Sequence, residues 1–262
     1  MHPTARDSQI PAPPSSLVEI VGGGLEIGEG HFAQLREIAG LRSGDRVLDV
    51  GCGVGRTAIP LTSYLSPDGG YEGFDIWPEA IDWCRNEISS RFPHFRFSVV
   101  DLFNGAYNPQ GAVSPSSFTF PYADDEFDLA ILYSVFTHML AGDLEHYLDE
   151  LARVLKKGGR VVATFFLLND HSLGELASAP DALTPEGSRV ARFLLERDFG
   201  PYRAGYEIPE WLAAYKEGFV REAFAAAGFA LDEPFRYGDW VEWACGRSPI
   251  LGRQDTVLAH RR

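Results

Sequence analysis

Cysteine and positive charge are both scarce in this 262-residue chain. Its three cysteines, Cys52, Cys84 and Cys245, are odd in number and far apart. That pattern excludes a disulfide framework and reads as reduced thiols, so a cytoplasmic setting is expected. None of them has a CxxC neighbour or a His at ligand spacing, and no metal site is expected. Lys and Arg number 23 against 37 Asp and Glu, a net charge of −14. Such a balance repels polyphosphate backbones, so no nucleic-acid partner is expected. There is no run of 18 apolar residues, which leaves no helical membrane span. The opening MHPTARDSQIPAPPSS lacks an apolar core, so it is not a signal peptide; residues 1–17 read as a disordered tail.

What is present is an ordinary soluble composition, 45% hydrophobic, with no internal repeat. Residues 18–262 read as one domain. HFAQLREIAGL (31–41) has the apolar spacing of a helix. Strand candidates follow at Arg46–Val50, Gly70–Asp75, Phe95–Val100, Phe127–Tyr133 and Arg160–Leu168. Helical patterns separate them: Arg56–Leu65, a helix opened by Pro78 with Ile81, Cys84 and Ile88 on one face, and Leu144, Leu148, Leu151 and Leu155 closing at Lys156–Gly158. A last helix at 216–227 precedes strand candidates near 229–237 and 254–260. This alternation defines a doubly wound α/β sheet of seven strands, with ligands expected beyond the strands' carboxyl ends. Residues 103–121 form a long loop. Residues 169–215, with four prolines, break the rhythm as an insertion between the fifth strand and the next helix.

VLDVGCGVG (47–55) places glycines at 51, 53 and 55. A phosphate-cradling GxxxxGK[ST] is absent. The dinucleotide fingerprint GxGxxG needs a small third residue at position 56, where Arg56 stands. Asp49 lies beside the loop, where its charge would oppose a pyrophosphate. A carboxylate there suits a nucleotide bearing ammonium and sulfonium groups and no phosphate. S-adenosylmethionine is that cofactor.

VLDVGCGVGR resembles the first motif of the class I S-adenosylmethionine-dependent methyltransferases, D/E-x-G-x-G-x-G. The similarity continues through YEGFDIWPEAI, with Asp75 closing the second strand and Ile76 after it. It runs on through FSVVDL, with Asp101 and Leu102, then FPYADDEFDLAILYSVFTHM and RVLKKGGRVV. FPYADDEFDLAILYSVFTHM is like the small-molecule branch of that superfamily. These matches cover roughly residues 30–168. The resemblance implies a Rossmann-like methyltransferase fold with S-adenosylmethionine as cofactor. By it, the amides of Gly51, Cys52, Gly53 and Gly55 approach the methionine part, and Asp49 holds its amino group. Asp75 accepts from both ribose hydroxyls, Asp101 accepts from the adenine amino group, Leu102 lies beside the ring, and Ile76 and Ser134 complete the pocket. Cys52 is either a packing residue or, less simply, a nucleophile.

Methyl transfer from a sulfonium is an in-line displacement that depends on positioning; a base helps where the acceptor is a hydroxyl or protonated amine. His138, after the fourth strand, is the candidate base, or else a residue that supports the pocket by hydrogen bonding. Tyr133, Ser134 and Phe136 are candidates for the same lining, and His171 is an alternative base. The expected acceptor is a small molecule, methylated on oxygen or nitrogen. YSVF stands where amino-methylating nucleic-acid enzymes carry [DNS]PP[YFW]. The aromatics of 169–215 (Phe193, Phe199, Tyr202, Tyr206, Trp211, Tyr215) form either a cover over the acceptor or a core of their own. A cofactor-binding scaffold without turnover and an NAD-dependent oxidoreductase are the competing functions. Oligomeric state is not legible.

Overall fold

The computed structural model describes residues 10–21, 24, 26–179, 197–204, 207–248 and 253–262. The apolar runs become strands β1 (Arg46–Val50), β2 (Gly70–Asp75), β3 (Phe95–Val99), β4 (Phe127–Leu132), β5 (Leu155–Phe165), β6 (Leu167–Leu168), β7 (Tyr202–Ala204), β8 (Ala213–Lys216), β9 (Phe229–Leu231) and β10 (Asp255–Arg261). Seven of them form one sheet in the order β3-β2-β1-β4-β5-β10-β9. β1 runs parallel to β2 and β4, and β2 parallel to β3. β10 is antiparallel to both β5 and β9. The doubly wound, mostly parallel sheet is the one the alternation predicts.

The chain divides into two compact units, Met1–Asp101 with Phe127–Ile131, and Leu102–Glu126 with Leu132–Arg262. In the first, helix α1 (Ser15–Val21) begins inside the stretch expected as a tail, and residues 1–9 lie outside the described residues. Helix α2 (Glu26–Ile38) starts earlier than its apolar spacing suggested. The helix expected over 56–65 shrinks to α3 (Ala58–Leu61). Helix α4 (Pro78–Cys84) buries Ile81 and Cys84 completely, with Ile88 in the wider turn that follows, as their shared face predicts.

In the second unit, helix α5 (Ala141–Val154) buries Leu144, Leu148 and Leu151. It stops one residue short of the expected end: Leu155 opens β5, so Lys156–Gly158 belong to the strand and not to a helix terminus. Pairing of β5 with β10 covers Arg160–Phe165. The expected strand to Leu168 breaks at Phe166, because Leu167 and Leu168 leave to pair with β8 in a second sheet, β6-β8-β7. The described residues of 169–215 include helix α6 (Asp170–Ser178), β7 and β8. Phe166, Leu168, Leu176, Leu212, Trp240 and Val241 pack into a core of their own. Of the six aromatics singled out there, Tyr215 and Tyr202 are buried in core positions. Phe199 and Trp211 are 47% and 44% exposed, while Phe193 and Tyr206 lie outside the described residues.

Asp255 ties this region together. One of its carboxylate oxygens accepts from the Trp240 indole at 2.7 Å and the Leu167 amide at 2.8 Å, and the other accepts from the Gly238 amide at 2.8 Å. The carboxylate is 2% exposed. Asp255→Ala would strand three buried donors, each costing about 1–3 kcal/mol. Its urea midpoint is expected to correspond to a loss of about 3 kcal/mol or more. A shift under about 1 kcal/mol would show that water replaces the carboxylate at little cost.

Candidate active site

In the first unit, the chain leaves β1 and turns through the glycine loop. The Phe74 carbonyl at the end of β2 accepts from the amides of Gly51 at 2.9 Å and Cys52 at 3.1 Å. Gly51, Gly53 and Gly55 have φ of 71°, 52° and 68°, a region that a side chain makes costly. A Cβ on Gly55 would also lie 2.8 Å from the Ile88 side chain. The alternate glycines are thus required by backbone shape and, at Gly55, by the packed Ile88 side chain.

Asp75 closes β2 and braces the loop. Its Oδ2 accepts from the Gly53 amide at 2.7 Å and its Oδ1 from the Trp77 amide at 3.0 Å. Burial raises the Asp75 pKa, and the amides of Gly53, Trp77 and Ile76 counter only part of that. Asp49, 3% exposed, accepts from the Tyr71 hydroxyl. Burial pushes its carboxyl up to about 7; the Tyr71 hydrogen bond opposes this, the Asp75 charge adds to it, and Arg56 also opposes it. Two buried carboxylates of like charge beside a glycine loop favour a cationic group and disfavour an anion.

Helix α2 covers the loop from the N-terminal side. A Cβ on Gly28 would sit 2.0 Å from the Arg56 carbonyl oxygen, so only glycine allows this approach. His31 Nδ1 lies 2.9 Å from the Thr57 hydroxyl; burial, helped by Arg56, lowers its pKa to about 3 and keeps it neutral. Cys52 packs under the loop with its sulfur against Gly73, and burial drives its thiol pKa far up. Ile76 is half-buried, and Asp101, at the end of this unit, is exposed.

In the second unit, Leu102 is buried and bridges to Val113, which folds the long loop back on itself. Ser134 follows β4 in a left-handed conformation, φ 61°. Its amide donates to the Thr164 hydroxyl at 2.8 Å, and its own hydroxyl accepts from the Gln254 amide at 2.9 Å. Thr164 in turn donates to Gln254 at 2.6 Å. This ring of polar contacts holds a backbone shape that costs a non-glycine residue about 1 kcal/mol or more.

Four residues on, His138 Nδ1 lies 2.9 Å from the Glu210 carbonyl oxygen. A carbonyl only accepts, so Nδ1 carries the proton and, in the neutral ring, Nε2 is the basic nitrogen. Burial lowers the His138 pKa, outweighing the Glu210 and Trp211 main-chain groups that raise it. The ring is therefore neutral and basic at pH 7. The Asn104 side chain donates to the His138 carbonyl at 2.9 Å, and Tyr107 meets the imidazole edge-on at 5.1 Å. Phe136 does not line this place: it is fully buried and stacks on Phe165, with centroids 5.2 Å apart. His171 is exposed on α6.

Sequence reasoning missed Tyr71, Gln254, Glu210 and Tyr107. Tyr71 looked like any strand aromatic, and Glu210 acts through its carbonyl, which no side-chain pattern can reveal.

Residues 48–163 match a methyltransferase domain family. Methyltransferase GfsG of Streptomyces halstedii is 30% identical over 154 residues, covering 59% of this chain and 49% of its own. The O-methyltransferase cnsE of Penicillium expansum is 27% identical over 176 residues, 60% of this chain and 55% of that one. The chain thus spans about half the length of these curated relatives. Among solved structures, an S-adenosylmethionine-dependent methyltransferase of Methanosarcina mazei superposes with a TM-score of 0.55 at 21% identity, covering 84% of this chain and 94% of that one. Residues 48–163 are thus similar to a methyltransferase domain, and the fold is that of the solved methyltransferase structure. S-adenosylmethionine is the cofactor of that family, and the two carboxylates flanking the loop suit its ammonium and ribose.

Proposed function

We propose that the protein methylates a hydroxyl oxygen of a small organic molecule. The observation that carries this reading is the fixed tautomer of His138, a neutral imidazole whose Nδ1–H is taken by the Glu210 carbonyl. A base so placed is needed for an acceptor that must lose a proton, and is idle for a thiolate or a free amine. The O-methyltransferase relative favours oxygen in the same direction.

On this reading S-adenosylmethionine supplies an electrophilic methyl group on a positively charged sulfur. Asp49 would hold the ammonium, Asp75 the ribose hydroxyls and Asp101 the adenine amino group; Leu102 and Ser134, in the second unit, are the remaining candidate cofactor contacts. His138 Nε2 would take the proton of the acceptor hydroxyl as the methyl group is transferred, so that one proton ends on the imidazole. Trp211, whose main chain lies against His138, would stand beside the acceptor.

Incubation with methyl-labelled S-adenosylmethionine and fractionated small-molecule extracts is expected to give a labelled methyl ether, stable to base. Cofactor binding with no label transferred to any fraction would support a scaffold without turnover. Label found only on nitrogen would leave the base without its purpose.

A further inference from the structure

Among the described residues eight large hydrophobic side chains are exposed, and five of them, Phe103, Tyr107, Val113, Ile208 and Trp211, lie on two short segments of the second unit. The segments meet at His138. Tyr107 and Trp211 pack with centroids 5.3 Å apart, Tyr107 also abuts the imidazole, and a Cβ on Gly105 would touch Ile208 at 3.0 Å. The Gly105 amide donates to the Glu210 carboxylate at 3.3 Å, which fixes the two segments to each other. Such a concentration of apolar surface around one basic nitrogen is unusual for a solvated loop.

The charge around it is one-sided. No Lys or Arg occurs between Arg96 and Arg153, nor between Arg203 and Lys216. These stretches contain His138, the whole of the 103–121 loop and the 208–211 turn. The carboxylates they do carry include Glu210, 7% exposed, and Asp143, whose pKa is raised chiefly by burial and also by Glu210. A phosphate or carboxylate set against these two segments would meet the Glu210 carboxylate, and neither segment carries a Lys or Arg to pair with it. An uncharged ring would find two aromatic faces.

Resting on the reading of His138 as the base, we infer that the acceptor is an uncharged, ring-bearing hydroxyl compound, of phenol or hydroquinone type, seated on a Tyr107–Trp211 platform. Phosphorylated and carboxylated acceptors are disfavoured by the same carboxylates. The hydroxyl points to His138 and the apolar body lies along Ile208 and Phe103.

Matched pairs test this: 1-naphthol against 1-naphthyl phosphate, and 4-propylphenol against 3-(4-hydroxyphenyl)propanoate. Binding to protein loaded with S-adenosylhomocysteine is followed by calorimetry. The neutral member of each pair is expected to bind at least about tenfold tighter. Tyr107→Ala and Trp211→Ala should each weaken the neutral member about tenfold, the scale of one lost aromatic contact with its buried area, without changing affinity for S-adenosylhomocysteine. Tighter binding of the anionic members, failure of every neutral member to bind, or indifference to both substitutions would overturn the platform. The proposed function fails separately, through absence of methyl transfer; an enzyme that methylates an anionic acceptor would keep that function and lose this inference.

Discussion

His138→Gln is expected to lower kcat toward a hydroxyl acceptor by about 10²–10⁴-fold, the usual contribution of a positioned proton acceptor. Cofactor affinity should stay within about twofold, because His138 lies in the second unit and the glycine loop in the first. Glutamine keeps the size of the side chain and can still donate to the Glu210 carbonyl, so Tyr107 and the 208–211 turn retain their support. The pH profile separates this effect from a structural one. Burial lowers the His138 pKa, so the wild-type rate should fall only on the acid side of the usual imidazole range, as the ring gains a proton and ceases to be a base. The variant should lose that acid limb altogether. A normal rate with the limb intact would mean that proximity alone accounts for catalysis.

Asp75→Ala should weaken S-adenosylhomocysteine binding by about a hundredfold, because two ribose hydroxyls lose a charged acceptor worth roughly 1.5–3 kcal/mol each before compensation by water. The loss has a second component: the Gly53 amide, now donating at 2.7 Å to this carboxylate, is left without it, and the loop is less firmly held. Asp75→Asn keeps one acceptor oxygen and should recover part of the affinity. An unchanged dissociation constant in both variants, with normal thermal stability, would remove Asp75 from the ribose site.

The frame of this protein could be read from local patterns. The alternation of strand and helix patterns gave β1 to β4, with a continuous apolar run at β4, and the face shared by Ile81, Cys84 and Ile88 placed α4 against the sheet. The glycines at 51, 53 and 55 revealed the loop because an L side chain resists their positive φ, a constraint written into single residues. What escaped was made by long-range pairing. Ser134 meets Gln254, 120 residues away, and His138 meets Glu210, 72 away, and neither partner carries a recognisable motif. Phe136 was read as pocket lining because it sits between Ser134 and His138; the short helical turn Phe136–His138 instead rotates it into the core. The break at Phe166 was also invisible, since the apolar run continues through Leu168 while the hydrogen-bond partner changes.

The account's central claim is that the glycine loop, flanked by Asp49 and Asp75, selects a cationic nucleotide free of phosphate. Titration calorimetry of S-adenosylmethionine and NAD at pH 6 and pH 8 tests it most directly. With the Asp49 carboxyl near 7 in the free protein, the charged form that holds the ammonium grows as pH rises. Binding of S-adenosylmethionine should therefore release a proton and tighten by roughly tenfold between the two pH values, while NAD should not bind. Asp49→Asn should abolish the pH dependence. Measurable NAD binding, or S-adenosylmethionine affinity that weakens as pH rises, would contradict the claim.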